Sequence, residues 1–184
     1  TVVVGLVILG GISSIGSVTA VFVPVMAIFY LLAGLIVIFT NITDVPAAFG
    51  IIFKDAFSFS AAGGGAVGAA IRYGVARGIF SNEAGLGSAP IAAAAAKTDL
   101  PGRQALISMT QVFLDTILIC SITGLTIVMS GVYTNKDMAA NELTTAAFDT
   151  FLGAWGPYVV AIGLIFFASS TIMGWAYYGE KCLQ

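Results

Sequence analysis

The chain has 184 residues, 59% hydrophobic and only 9% charged, with a net charge of −2. Soluble domains carry about 25% charged residues, so this supply cannot cover a water-facing surface, and the chain needs lipid as its solvent. It has no histidine, the usual zinc ligand and general base, no metal or disulfide spacing at Cys120 and Cys182, and no basic run for nucleic acid, so neither an enzyme nor a cofactor is expected.

No basic leader with a cleavage site precedes the first apolar run. Residues 1–184 are therefore expected to form a single transmembrane domain, an internal fragment of a longer chain truncated at both ends. Thr1–Thr43 carries no charged side chain, the first charge being Asp44. As one helix it would run about 64 Å, twice the hydrocarbon thickness of about 30 Å. A turn is expected at Gly10-Gly11-Ile12-Ser13-Ser14-Ile15-Gly16, followed by a helix from Val18 to Thr40 with Pro24 in its first turns, where proline disrupts least. Asn41–Ser60, with Pro46 and Lys54-Asp55, reads as an extramembrane connection carrying a short interfacial helix.

Ala61–Lys97 is the informative stretch. Gly63-Gly64-Gly65 opens it, and Ala66–Ile79 suits about 14 helical residues, about 21 Å. Phe80-Ser81-Asn82-Glu83-Ala84-Gly85-Leu86-Gly87 then interrupts the pattern. Ser88 and Pro90 signal a new helix start, and Ser88–Lys97 adds about 15 Å. Two half-helices with an unwound joint would cross the bilayer. Unwound backbone at membrane depth is tolerated where it lines a cavity, and transporters use it to meet sodium and carboxylates. The alternative is a plain loop between separate helices, but Ser88–Lys97 is too short to span alone.

Arg72 and Arg77 are charges within this apolar segment and are expected to face the bundle interior or to snorkel; Arg77 and Glu83 can pair across the break. Thr98–Arg103 forms a polar loop, and the next helix runs from Gln104 to Ser130. Asp115, with Gln111 a turn before and Thr116 beside it, is an acid in a spanning helix and so a functional candidate. After a polar loop at Gly131–Glu142 and the apolar stretch Ala146–Trp155, the last helix covers Pro157–Tyr178. It carries Ser169-Ser170-Thr171 and Trp175, which suit a hard cation, helix cross-linking or an interfacial anchor. The basic residues Lys97, Arg103 and Lys181 put the 98–103 loop and the chain's end on the cytoplasmic side.

Gly74–Pro90, read GVARGIFSNEAGLGSAP, resembles the most recognisable stretch of the alanine/glycine:cation symporter family, also called sodium:alanine symporters. Phe113-Leu114-Asp115-Thr116, Leu143–Phe148 and Ser170–Glu180 continue the resemblance, which covers essentially the whole chain. It implies an all-α polytopic membrane protein of LeuT-like, five-plus-five inverted-repeat fold. This chain would supply helices four to eight, with the discontinuous helix sixth. The resemblance further implies sodium-driven uptake of alanine or glycine, sodium being the coupling ion, at the cytoplasmic membrane of a prokaryote. It puts Phe80, Ser81 and Asn82 at the substrate cavity, with Thr171 and Trp175 facing them and Ser170 and Thr171 on sodium; the embedded charges Arg77, Glu83 and Asp115 are, by their place in apolar segments, candidate supporting charges. Ser13–Thr19 departs from the family pattern, lacking the charged residues expected there. A channel or another secondary transporter of the same fold is the competing reading.

Overall fold

A computed structural model describes residues 2–56, 66–83, 85–135, 137–139 and 142–184. The expectation that Gly63-Gly64-Gly65 opens the broken segment lies outside the described residues. Helices α1 (Val2–Leu9), α2 (Gly11–Thr40) and α3 (Val45–Ala56) are followed by α4 (Ala66–Ser81) and the short α5 (Ala89–Ala94), with a break between them. Then come α6 (Pro101–Ser130), α7 (Leu143–Leu152) and α8 (Gly156–Leu183). Among the described residues, three stretches are long and apolar enough to cross a membrane: α2, α6, and the run Leu143–Leu183 that holds α7 and α8. Apolar side chains such as Ile28, Leu106 and Ile165 point outward along them, as suits helices whose surroundings are lipid or further helices.

The first interruption is narrower than the sequence suggests. It is confined to Gly10-Gly11, where Gly11 takes φ +68°, and Ser13–Gly16 lies inside α2. Just beyond that stretch, hydroxyls fold back onto their own helix. Ser17 donates to the Ser13 carbonyl at 2.8 Å and Thr19 to that of Ile15 at 2.7 Å. Pro24 is consequently deep in α2 rather than in its first turns. Its missing N–H leaves one carbonyl of the preceding turn without a helical donor.

The boundaries of α5 and α6 also move. Instead of Ser88–Lys97, α5 covers only Ala89–Ala94, because the chain must become extended at Leu100 (φ −127°, ψ 121°) before Pro101. Pro101 itself starts α6, three residues before the expected Gln104, since a proline costs nothing at the first helical position. Ser88 does not cap α5 with its side chain; its hydroxyl is used elsewhere, as described below. Before α8, Gly153 (φ +56°) and the tight turn Gly153–Trp155 break the run from α7.

Two clusters hold the bundle. Tyr30, Ala33 and Val37 of α2 pack with Phe148 of α7 and Val160 of α8, and Ile119 of α6 and Phe167 of α8 lie against them. The Tyr30 ring meets Phe167 edge-on at 5.8 Å, and its hydroxyl shares a 2.7 Å hydrogen bond with Thr123 of α6. Gly163 lets that ring approach α8, a Cβ there standing 3.4 Å from it. The second cluster, Ile15, Met173 and Tyr177 with Ile91 against it, fastens α5 to α2 and α8. The break between α4 and α5 is thus held at its far end by α5 and at its near end by α6.

Candidate functional site

The break forms because α4 is terminated by its own side chains. Asn82 brings both its backbone N–H (3.2 Å) and its Nδ2 (2.9 Å) to the Gly78 carbonyl. The next residue, Glu83, takes the left-handed conformation at φ +53°, and Gly85 (+77°) and Gly87 (+80°) repeat it. A left-handed residue after the last helical turn is a common helix stop. Glycine adopts it freely, whereas a residue with a Cβ is held there at a cost of about 1–2 kcal/mol. Glu83 is kept in place by its side chain: the carboxylate Oε2 accepts from Ser88 Oγ at 2.6 Å and from Tyr178 OH at 3.3 Å.

Opposite the break, α6 is wound as a π-helix over Phe113–Cys120. Such widened turns are rare and often accompany function. Two consecutive residues of α4's end meet two consecutive residues of this stretch. Ser81 Oγ donates to Asp115 Oδ2 at 2.5 Å, and Thr116 Oγ1 donates to Asn82 Oδ1 at 2.8 Å. Asn82 therefore has both ends of its amide engaged, which fixes its orientation.

A cleft of about 500 Å³ lies between α2, α4, α6 and α8. Ser81, Asp115 and Ser170 are its polar walls together with Thr110 and Gln111, and Met26 and Phe167 are among its apolar ones. This volume falls in the usual range for small-molecule sites, about 300–1,000 Å³. Of the expected site residues, Ser81, Asp115 and Ser170 converge here. Asn82 stands beside them on Thr116, outside the lining. Ser170 and Thr171 both donate to the Phe167 carbonyl, at 2.9 and 2.8 Å, and Thr171 is exposed. Phe80 is 60% exposed and Trp175 47% exposed, the latter edge-on to Tyr178 at 5.7 Å. Arg77 is exposed on α4, and Glu83 takes hydroxyl partners.

All 184 residues match the sodium:alanine symporter family. The chain belongs to that family. The sodium/alanine symporter AgcS of Methanococcus maripaludis is 58% identical over 97% of this chain and 40% of its own length. An uncharacterized transporter of Haemophilus influenzae is 53% identical over 99% of this chain and 41% of its own. The probable sodium/glutamine symporter GlnT of Bacillus subtilis is 42% identical over 97% and 37%. The chain thus spans about two fifths of the length of these relatives.

Within this symporter-family chain, Thr116, Met26, Phe167 and Tyr178 are site neighbours that sequence reasoning did not assign. Thr116 was visible beside Asp115, but its partner depends on the widened turn. Met26 and Phe167 carry no polar group that would single them out in an apolar sequence. Tyr178 marked only the end of the last expected helix, and the return of α8 past the break brings it to Glu83.

Proposed function

We propose that the protein carrying this chain is a sodium-driven symporter of a small neutral amino acid, alanine or glycine, in the cytoplasmic membrane, and that the α4–α5 break forms part of its substrate and sodium site. The observation that carries this reading is the joint itself. It is an unwound segment flanked by half-helices and locked to a π-wound helix through Ser81–Asp115 and Asn82–Thr116. Ends of half-helices leave backbone N–H and carbonyl groups free, the groups that meet a carboxylate, an ammonium and sodium in discontinuous-helix transporters. Relatives named as sodium/alanine and sodium/glutamine symporters support the same class of cargo.

In this reading the chain corresponds to helices four to eight of a LeuT-like five-plus-five inverted repeat, with the broken helix opening the second repeat. No covalent bond changes, and transport proceeds by alternating access about the break. Phe80, Ser81 and Asn82 face the substrate with Thr171 and Trp175 opposite, and Phe80 and Trp175 limit the room for its side chain. Ser170 and Thr171 offer hydroxyl oxygens to sodium, and Asp115 sets the negative charge beside it. The test is uptake of labelled alanine into proteoliposomes of the full-length protein under an inward sodium gradient. Saturable accumulation that collapses when the gradient is dissipated is expected. Flux indifferent to the gradient would mark a channel and end this reading.

A further inference from the structure

Glu83 is unlike its neighbours in the break in one respect. Among the described residues it is the only non-glycine residue with positive φ. Its carboxylate does not line the 500 Å³ cleft. Instead, two hydroxyls from different elements converge on its Oε2 atom. Ser88 stands at the entry to α5, is 8% exposed, and donates at 2.6 Å. Tyr178 belongs to α8, 95 residues away in sequence, and donates at 3.3 Å. One turn back along α8, the Trp175 ring rests edge-on against Tyr178 at 5.7 Å.

We propose that Glu83 is a positioning residue for transport: through Ser88 it sets the angle between the two half-helices, and through Tyr178 it ties their joint to α8 and fixes where Trp175 stands. This rests on the reading of the break as a substrate site. The chemistry suits the role. A carboxylate only accepts hydrogen bonds, so two O–H donors can share one of its oxygens. The bond to Ser88 spans the unwound joint within the chain, while the bond to Tyr178 leaves it. A change in the position of α8 is therefore felt at the joint, and the reverse. The requirement is for an acceptor at this place rather than for a charge, because Arg77 is exposed on α4 and both partners of Glu83 are neutral hydroxyls.

The test is a double-mutant cycle on the full-length protein in proteoliposomes, with sodium-driven alanine uptake as readout. Glu83→Ala and Tyr178→Phe should each raise the alanine KM by about 3–10-fold. The double variant should be no worse than the worse single one. Glu83→Gln keeps an acceptor oxygen and should stay within about twofold of wild type. Effects that multiply in the double variant would overturn the link. So would an unchanged KM accompanied by a lowered melting temperature, the signature of a merely structural contact. Should Glu83→Ala fail to fold, Tyr178→Phe and Ser88→Ala carry the test, and an unchanged KM in Tyr178→Phe overturns the proposal. Absence of sodium-dependent uptake by the wild type would instead refute the functional reading, so the two failures are distinct.

Discussion

The bond between Ser81 and Asp115 should be the main tie between the broken helix and α6, and removing the Ser81 hydroxyl should show it. In Ser81→Ala, Asp115 Oδ2 loses a donor at 2.5 Å. Charge-assisted hydrogen bonds contribute about 1.5–3 kcal/mol. Ser81 is exposed and Asp115 only half-buried, so water replaces part of the lost bond and the loss falls to about 1–2 kcal/mol. At 1.4 kcal/mol per tenfold, this corresponds to a loss of about 5–30-fold in Vmax/KM for alanine. The assay is initial-rate uptake into proteoliposomes over a series of sodium concentrations. Asp115→Ala should lose at least as much and should also weaken the sodium dependence, because it removes the charge as well as the acceptor. Adding Ser81→Ala to Asp115→Ala should then cost little more, since the partner is already gone. If the two losses multiply instead, Ser81 and Asp115 act separately and the lock between α4 and α6 is not what supports transport.

Thr116→Val keeps the shape of the side chain but removes the donor to Asn82 Oδ1, held at 2.8 Å. It should lower Vmax/KM for alanine by about 3–10-fold, with expression unchanged on gel filtration. Phe148→Ala empties the centre of the first core cluster, where Phe148 is fully buried against Tyr30. In water such a change costs about 3–5 kcal/mol. Lipid tails are as apolar as the core, so the transfer part largely vanishes and the packing part remains. A loss of about 2–3 kcal/mol is expected, read as a lowered melting temperature in detergent with the alanine KM preserved in the surviving fraction.

The break between α4 and α5 was legible in the sequence because glycine, proline and a cap-type serine punctuate an apolar run. The partners across the break were not. Pairing Ser81 with Asp115 depends on how α6 is wound over Phe113–Cys120, and an apolar run such as Ile117-Leu118-Ile119-Cys120 has no residue pattern that distinguishes a π-helix from an α-helix. The serine at 88 illustrates the same limit. Its type fits a helix cap, yet a carboxylate five residues back competes for the same hydroxyl and wins, because the left-handed turn at Glu83 brings that carboxylate to 2.6 Å. Likewise Ser13–Gly16 looked like a turn by composition, but it continues α2, and the Ser17 and Thr19 hydroxyls just beyond it donate to helix carbonyls one turn back.

Within the break, the side chains of Ser81, Asn82, Glu83 and Ser88 are already engaged with one another or with Asp115, Gly78, Thr116 and Tyr178. On the proposed reading, the free backbone groups of the half-helix ends are left to meet the α-amino and α-carboxyl groups, which every amino-acid substrate shares. The cleft's apolar wall, including Met26 and Phe167, joins Phe80 and Trp175 in meeting what differs between substrates. These two duties can be separated by experiment. Asn82→Ala and Ser88→Ala loosen the frame and should raise KM for alanine and for a larger neutral amino acid by the same factor, within about twofold. Met26→Ala or Phe167→Ala enlarges the wall and should shift the ratio of the two KM values by about 10-fold toward the larger substrate, the scale on which apolar pockets discriminate. Uptake of both substrates, measured in parallel on each variant, decides it. A changed ratio in Asn82→Ala with an unchanged one in both wall variants would reverse the assignment and place selectivity in the break itself.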